Sequence, residues 1–370
     1  QQYSEIDEIV QKIVNILGHK YSSLPNDDLF GMEYPLEELT KLLCLGSIDD
    51  IRVVGISGMS GIGKTTLCRA LYESISHQYD SCCFIEDVSK LYRDFKTIGI
   101  QKQLLSQCLN EKNLEIFNVS EGKYLIWTSL RARTLVVFDN VDQVGQLKMF
   151  IGSKDSLLSN CLGRGSRIII ISRDKHILRK HGVDDVYQVQ PLVEEEAIQL
   201  FCRNAFNGNY IMSGYEEFTS AILSHTQGHP LAIEVVGSSL FGRNFSQWRS
   251  ALARLRDNKS RNIINVLRIS FDELDDIDKE IFLDIACFYD GYEEQHVKEI
   301  LDFRGFYPEY GLQVLVDKSL IVIHDGFIGM HSLLRDLGRC IVQEKSPKDP
   351  RRWNRLWHQK DLYKVLSDNM

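Results

Sequence analysis

The chain has 370 residues, of which 44% are hydrophobic and 25% charged, a composition typical of globular proteins, and its length predicts two or three domains. The net charge of −8 argues against a general nucleic-acid binder, and no apolar run reaches the eighteen or so residues that cross a bilayer. Nine cysteines without a C-x-x-C pair, and no signal peptide, indicate a reduced protein of the cytoplasm or of cytoplasm and nucleus, without zinc.

Apolar residues spaced three and four apart over residues 5–17 predict a linker helix that enters from a missing upstream domain, and we assign residues 1–24 to it. Beyond it, apolar runs alternate with helical patterns, which predicts an α/β fold with a parallel sheet and helices on both faces. The predicted strands are 51–56, 82–88, 134–138 and 167–172, and the predicted helices begin at residue 64 or span 98–109, 122–132 and 143–151.

From about Pro191 the strand signals fade. Amphipathic patterns predict helices at 193–206, 214–226, 231–241 and 246–256. Further along, short apolar runs at 319–323 and 327–330 flank Asp325-Gly326, which predicts a hairpin before a last long helix at 333–342. We therefore expect a P-loop domain at 25–190, an all-α helical subdomain at 191–262 and a winged-helix subdomain at 263–370.

The strongest motif is at residues 58–65, which fit the phosphate-binding pattern G-x-x-x-x-G-K-[ST] and follow a predicted strand. In such loops the glycines turn backbone N–H groups toward phosphate, the lysine reaches the β and γ phosphates, and the hydroxyl can ligate Mg²⁺. A glycine-rich turn without a ligand is the alternative, which the preceding strand disfavours. The candidate nucleotide-binding residues here are Ser60, Gly61, Ile62, Gly63, Lys64, Thr65 and Thr66.

A second motif supplies an acid to this loop. Asp139 follows four apolar residues, as expected for the carboxylate that holds Mg²⁺ with Thr65, and it is also the candidate catalytic residue. The alternative role is an N-cap for the next helix. Asn140 stands where hydrolytic P-loop enzymes usually place a second acid, and an amide cannot accept a proton from water, so we expect slow turnover. Asp142 could substitute or could be only a cap.

Three further residues are candidates of lower specificity. Arg173, at the carboxyl end of a predicted strand, could sense a γ phosphate, or it could form a surface ion pair with Asp174 or another acid. Pro230 fits the first turn of a helix, which could be a plain loop-to-helix junction. His331 ends the hairpin, and a lone histidine is more often structural than functional.

Taken in order, the segments GMSGIGKTT, LVVFDNVD, GSRIIIISRD, GHPLAIEVVG, FLDIACFYDG and MHSLLRDLG resemble the NB-ARC module of plant nucleotide-binding, leucine-rich-repeat immune receptors. The resemblance covers residues 25–370. The segment 282–288 and Asp142 resemble the subclass that carries an upstream TIR domain.

The resemblance implies a switch of the STAND type that holds ADP at rest, exchanges it for ATP on activation and then forms homo-oligomers in defence signalling. It implies Mg²⁺, and as partners the adenine nucleotide and the TIR and leucine-rich-repeat domains of the same longer protein, whose TIR domain could consume NAD. Carried over to this sequence, the implied nucleotide contacts are Lys64, Thr65, Asp139 on the metal side, Arg173, Pro230, Leu231, His331 and, near the base, Phe30, Gly31 and Met32.

The chain departs from the family pattern at three positions. Asn140 replaces the second acid, Ser172 replaces a threonine, and Ser332 replaces the aspartate that follows the histidine. Serine can still cap a helix but brings no negative charge, so we expect a looser hold on ADP.

Two other functions compete with the switch. One is an ordinary ATPase, which Asn140 disfavours. The other is a nucleotide-regulated DNA-binding protein that uses the winged helix and the basic residues among 345–360. Trp353 and Trp357 lie four residues apart in that segment, a spacing that indicates packing of the module's end, so DNA binding is the less favoured function.

Overall fold

The structure is a computed structural model that describes residues 29–111, 114–150, 158, 161–257, 263–344, 346–347 and 349–367. The predicted linker helix at 5–17 lies outside these residues. The chain divides into two compact units, and the boundary runs through the phosphate loop. Of the described residues, those up to 58 and those in 64–189 belong to the first unit, and those in 59–63 and from 190 onward belong to the second.

The first unit is built on a five-stranded parallel sheet of order β2-β3-β4-β1-β5. Its strands are β1 (Arg52–Ser57), β2 (Ser81–Ile85), β3 (Thr134–Phe138), β4 (Arg167–Ser172) and β5 (Asp185–Gln188). Its helices are α1 (Glu33–Leu43), α2 (Lys64–Ile75), α3 (Val88–Leu109), α4 (Val119–Ser129), α5 (Val144–Leu147) and α6 (Lys175–Lys180). Strands β3 and β4 are buried throughout, as the continuous apolar runs predict.

The carboxyl ends of β1, β3 and β4 carry the candidate site residues of this unit. Because β4 pairs with both β1 and β3, it separates the strand that leads to the phosphate loop from the strand that leads to Asp139. Helices cover the sheet, and Phe138 packs against Phe150 with ring centroids 6.0 Å apart. The α/β P-loop fold class is thereby confirmed for this unit.

Several elements of the first unit differ from the prediction. Helix α1 and strand β5 were not predicted. The strand predicted at 82–88 ends at Ile85, because Asp87 takes a left-handed conformation with φ 40° and caps α3. Helix α3 begins at Val88, well before the predicted residue 98, and is interrupted at Lys96, where φ is 55° and ψ is −151°. The helix predicted at 143–151 is limited to Val144–Leu147 among the described residues.

The second unit begins with four helices close to their predicted bounds: α7 (Glu194–Phe206), α8 (Glu216–Thr226), α9 (Pro230–Leu240) and α10 (Phe245–Asp257). Further helices follow: α11 (Ile263–Asp272), α12 (Asp276–Asp284), α13 (Glu294–Phe303) and α14 (Pro308–Asp317). The predicted hairpin is present as antiparallel β6 (Val322–His324) and β7 (Phe327–Gly329), and α15 (Ser332–Glu344) and α16 (Gln359–Ser367) complete the unit. This order of helices and hairpin is the predicted helical and winged-helix arrangement.

The core of the second unit is continuous. Phe201 and Trp248 meet edge to face with centroids 5.9 Å apart, and Phe271 packs on Phe282 at 5.2 Å. These side chains belong to one buried apolar cluster that extends from Ala197 to Val342. The division of this unit at residue 262 therefore stays a prediction. Across the described ranges, no helix is both long and apolar enough to cross a membrane.

Candidate functional site

Lys64 opens α2 directly after the phosphate loop. Its ammonium nitrogen donates to the carbonyl oxygen of Gly58 at 3.0 Å, and the side chain is 9% exposed. Burial and, to a smaller extent, the nearby Arg173 guanidinium lower the pKa of Lys64 to about 8, whereas Asp139 acts in the opposite direction. A buried ammonium that faces another cation is stabilised by an anion, so the charge of this site suits a phosphate.

Asp139 follows β3 and is buried at 8% exposure. The Thr65 hydroxyl lies 3.1 Å and 3.2 Å from its two carboxylate oxygens. Burial raises the pKa of Asp139 to about 6, against the stabilising effect of the Thr65 hydroxyl. A hydroxyl beside a desolvated carboxylate is the oxygen donor set that Mg²⁺ takes in P-loop proteins, so these two residues fit the ion.

Arg173 follows the last residue of β4. Its side chain is exposed, and its guanidinium lowers the pKa of Lys64. The neighbouring Asp174 caps α6 by accepting from the backbone N–H of His176 at 2.7 Å. Ser172 keeps the hydroxyl role expected of threonine, because it donates to the carbonyl oxygen of Val141 at 2.6 Å. Arg173 therefore lies near the lysine that would hold the phosphates, and its role as a sensor stays a prediction.

The tip of the phosphate loop, residues 59–63, contacts other residues of the second unit. Nε2 of His229 lies 2.8 Å from the carbonyl oxygen of Ser60, and Nδ1 of the same ring accepts the N–H of Ala232 at 3.4 Å. Since Nδ1 accepts, Nε2 carries the proton and donates to Ser60. The N–H of Leu231 donates to the carbonyl oxygen of Gly61 at 3.3 Å. The first turn of α9 thus holds the loop through the carbonyl groups of Ser60 and Gly61.

The start of α15 also reaches the loop tip. The hydroxyls of Ser60 and Ser332 lie 2.8 Å apart. His331 precedes the helix, and its Nδ1 accepts the N–H of Leu333 at 3.1 Å. The position that departs from the family aspartate therefore contacts the phosphate loop through the hydroxyl that serine retains.

The remaining predicted residues lie in their expected segments. Phe30, Gly31 and Met32 precede α1, where Gly31 has φ 67° and the carbonyl oxygen of Met32 accepts the N–H of Leu36 at 3.0 Å. Ile62 is buried at 3% exposure and Gly63 has φ 92°. Thr66 lies in the first turn of α2, and Pro230 opens α9 as predicted for a first-turn proline. Their nucleotide contacts stay predictions.

Sequence reasoning missed two residues of these clusters. His229 is 2% exposed and holds Ser60, although only Pro230 and Leu231 were selected from that motif. Asp87, at the end of β2, accepts from the Asn140 amide at 2.8 Å. A polar residue between glycine and proline at a helix start was the available signal for His229. Asp87 gave none, because its partner is far away in the sequence.

One arginine and the two tryptophans of the basic segment near the end of the chain pack within their own unit. Arg355 is 5% exposed and donates to Asp284 at 2.7 Å and to Glu280 at 2.6 Å. Trp353 and Trp357 stack with ring planes 11° apart, and both pack against the core. This agrees with the interpretation of the tryptophan pair as packing. Lys345 and Lys348 lie outside the described residues.

Comparisons with known proteins agree with these observations. A model of the NB-ARC domain matches residues 32–210, and a model of the winged-helix domain of Roq1-like disease resistance proteins matches residues 275–346. Over 98% of its length the chain is 36% identical to TMV resistance protein N of Nicotiana glutinosa and 35% identical to disease resistance protein RUN1 of Vitis rotundifolia. It spans only 31% and 27% of the length of these two relatives.

A solved structure shares the fold at low sequence identity. A signal transduction ATPase with numerous domains (STAND) from Pyrococcus horikoshii, which carries a tetratricopeptide repeat sensor, superposes with a TM-score of 0.52 at 16% identity. The match covers 94% of this chain and 48% of that one. It supports the P-loop fold class alone.

Proposed function

Residues 32–210 form an NB-ARC domain and residues 275–346 a winged-helix domain of the Roq1-like type, and from this premise we propose that the chain is the nucleotide-controlled switch of a plant immune receptor. In the resting state it holds ADP. Activation exchanges ADP for ATP and leads to homo-oligomerisation and defence signalling. The relatives named above are disease resistance proteins, which supports this role.

One observation carries the proposal: Lys64 after the phosphate loop and Asp139 after β3 are both buried, at 9% and 8% exposure. Burial lowers the pKa of Lys64 and raises the pKa of Asp139, which means that the native environment disfavours the charged form of each. Phosphate oxygens would stabilise the ammonium of Lys64, and Mg²⁺ held by Thr65 and Asp139 would stabilise the carboxylate. The Mg²⁺ ion would shield the charge of the phosphates when bound. A bound nucleotide with Mg²⁺ would therefore stabilise the charged forms of both Lys64 and Asp139.

The contacts of the loop tip support coupling of the ligand to the second unit. Residues that would surround the phosphates, Ser60 and Gly61, are held by His229 and Leu231 at the start of α9 and by Ser332 at the start of α15. A phosphate group that shifts the loop would therefore act on both helices. Moving such a switch from one to ninety-nine per cent open needs about 5.5 kcal/mol of differential binding. A γ phosphate that meets Arg173, together with the loss of His331 contacts, would supply part of it, and a sensed partner or assembly would supply the rest.

The remaining partners follow from the relatives' greater length. The chain spans about a third or less of each, so the sensing and signalling parts of the receptor would lie in segments outside it. We expect these to be a TIR domain upstream and leucine-rich repeats downstream, in a protein of the cytoplasm or of cytoplasm and nucleus.

The test is to identify the nucleotide that the purified chain retains. Freshly purified protein is denatured and the released nucleotide is separated by chromatography, with Lys64→Ala beside it and Lys123→Ala, an exposed lysine of α4, as the matched control. We expect one ADP per chain in the wild type and in Lys123→Ala, and none in Lys64→Ala. An equal nucleotide content in all three proteins, or none in the wild type after exposure to ADP and Mg²⁺, would refute the proposal.

A further inference from the structure

Asn140 and Asp87 form a pair at the carboxyl edge of the sheet. The Asn140 amide nitrogen donates to Oδ1 of Asp87 at 2.8 Å, and that oxygen also accepts the N–H of Lys90 at 3.2 Å, which makes Asp87 the N-cap of α3. Both residues are in the left-handed region, with φ 55° at Asn140 and 40° at Asp87. Two polar residues that are bonded to each other, each in an uncommon backbone conformation, indicate that the surrounding structure holds the pair in place.

Backbone hydrogen bonds fix the two turns against each other. The N–H of Val88 donates to the carbonyl oxygen of Asp139, and the N–H of Asp139 donates to that of Ile85, each at 2.9 Å. The turn after β2 and the turn after β3 are therefore in register, and Asp87 lies close enough to Asp139 to raise its pKa. The pair is thus part of the same edge as the candidate metal residues.

The chemistry of the pair fixes the orientation of the amide. Oδ1 of Asp87 accepts from both the Lys90 N–H and the Asn140 amide nitrogen, so this nitrogen faces Asp87 and the carbonyl oxygen Oδ1 of Asn140 faces away from it. An amide oxygen in this position can accept a hydrogen bond from a water molecule and orient it. It cannot take the proton that the water must lose.

Hydrolysis of ATP needs that proton transfer. The water oxygen forms a bond to the γ phosphorus, the bond from this phosphorus to the β-γ bridging oxygen breaks, and the water proton passes to a base while ADP and phosphate leave. A carboxylate at position 140 could receive the proton. In this chain the carboxylate is at position 87 and the amide at position 140.

We propose that Asp87 is a positioning residue that holds Asn140 through their hydrogen bond. The carboxylate then lies at position 87 and the amide at position 140, which is the reverse of the arrangement that hydrolysis needs, so bound ATP persists. This rests on the proposed nucleotide binding. Exchanging the two side chains should restore hydrolysis. Both positions can accept the exchange, because asparagine and aspartate tolerate the left-handed region and are equally good N-caps.

The test uses the full chain as wild type, Asp87→Asn, Asn140→Asp, the double variant and Asp94→Asn as a control. Asp94 is an exposed acid of α3 that belongs to neither the phosphate loop nor the metal-side turn. Two quantities are measured: the single-turnover rate of ATP hydrolysis with Mg²⁺, and the equilibrium affinity for a non-hydrolysable ATP analogue with Mg²⁺. Thermal midpoints check that each variant folds.

We expect the double variant to hydrolyse ATP about a hundredfold faster than the wild type, which is the low end of what a general base contributes. Analogue affinity should stay within about twofold in the double variant, in Asp87→Asn and in the control, and the last two should remain slow. Asn140→Asp alone should gain less than the double variant, because two carboxylates then meet.

Two results would overturn the inference. The first is a double variant that binds the analogue and hydrolyses ATP no faster than the wild type. The second is a wild type with rapid hydrolysis that Asp87→Asn abolishes, which would make Asp87 itself the base. Failure of the wild type to bind the analogue would instead refute the proposed function, so the two failures are distinguishable.

Discussion

The hydroxyl of Thr65 lies within hydrogen-bonding distance of both carboxylate oxygens of Asp139, at 3.1 Å and 3.2 Å. If the two residues share Mg²⁺, Thr65→Val, which removes the hydroxyl at nearly constant volume, should abolish most of the Mg²⁺-dependent part of nucleotide affinity. Thr65→Ser should keep it. Calorimetric titration with ADP in Mg²⁺ and in EDTA measures the difference. Equal loss in the valine and serine variants would contradict a role for the hydroxyl.

Nucleotide affinity should have a maximum between about pH 6 and pH 8. Phosphate favours the charged form of Lys64, whose pKa is lowered to about 8, so binding takes up a proton and weakens as the pH rises through 8. Mg²⁺ favours the charged form of Asp139, whose pKa is raised to about 6, so binding releases a proton and weakens as the pH falls through 6. Titrations from pH 5 to 9 check both limbs, and EDTA should remove the acid one. A flat profile would contradict the assignment.

The same shift at Asp139 acts on the stability of the ligand-free protein. Between its ordinary pKa of 3.8 and about 6, the native state holds this proton more tightly than the unfolded chain does. Its contribution to the free energy of unfolding therefore falls as the pH rises through that window. Asp139→Asn should flatten this part of the stability profile, which urea denaturation at a series of pH values measures.

The bond between the Ser60 and Ser332 hydroxyls should control ADP release. A neutral hydrogen bond is worth about 0.5–1.5 kcal/mol, so Ser332→Ala should speed release by roughly two- to tenfold, while Ser332→Asp, a charged acceptor, should slow it. Displacement of a fluorescent ADP analogue by excess ADP measures the rate. In a Ser60→Ala background the alanine change at 332 should have no further effect. A rate that Ser332→Asp leaves unchanged would refute the predicted looser hold on ADP.

Gly61 is predicted to tolerate no side chain. A Cβ there would lie 2.7 Å from Cε1 of His229 and 3.0 Å from Cβ of Leu231, at φ 74°. Gly242→Ala is the matched control, because it has φ 68° with nothing within 4 Å. Both changes cost about 1 kcal/mol of backbone strain, and Gly61→Ala should add about 1–3 kcal/mol of overpacking and weaken nucleotide binding. Equal thermal midpoints for the two variants would contradict the predicted contact.

Among the buried charged residues of the winged-helix region, Asp284 should be the one whose substitution lowers the free energy of unfolding most. It is 1% exposed, and it binds Arg355 at 2.7 Å and also pairs with Arg304. Asp284→Leu leaves the buried Arg355 charge without this partner and should cost about 3–5 kcal/mol in the free energy of unfolding. Adding Arg355→Leu should recover part of the loss, because no buried charge then remains there. Urea denaturation followed by tryptophan fluorescence measures both, and additive losses would contradict the prediction.

Two strands that are buried throughout could be predicted from the sequence to the residue. β3 and β4 are continuous apolar runs with polar residues at both ends, and both bounds were correct. β5 was missed because it is a four-residue edge strand that pairs only with β1 and is half exposed, so its sequence, DVYQ, carries no apolar run. The predicted helix at 98–109 was shorter than α3 because the kink at Lys96 breaks the helical spacing of apolar residues.

The site residues that belong to a local sequence motif could be predicted, whereas contacts between residues far apart in the sequence could not. Lys64 and Asp139 belong to motifs whose spacing implies phosphate and metal. The hydroxyl contact of Ser60 with Ser332 joins positions 272 residues apart, and the pair of Asp87 with Asn140 joins positions 53 apart. Neither contact has a local signal, since it depends on how the chain returns to the same place.

The position of β4 in the sheet separates mutations that would change the affinity for a nucleotide from mutations that would change the response to it. Neighbouring strands lie about 4.8 Å apart, so a residue at the end of β4 is one strand away from the lysine-bearing loop and one from the metal-side acid. Under the proposed function, such a residue would meet the end of a bound triphosphate without belonging to either anchor. We therefore expect substitutions at Arg173 to change the response to a bound nucleotide more than the affinity for it, so that the activation threshold could vary while the ligand stays the same.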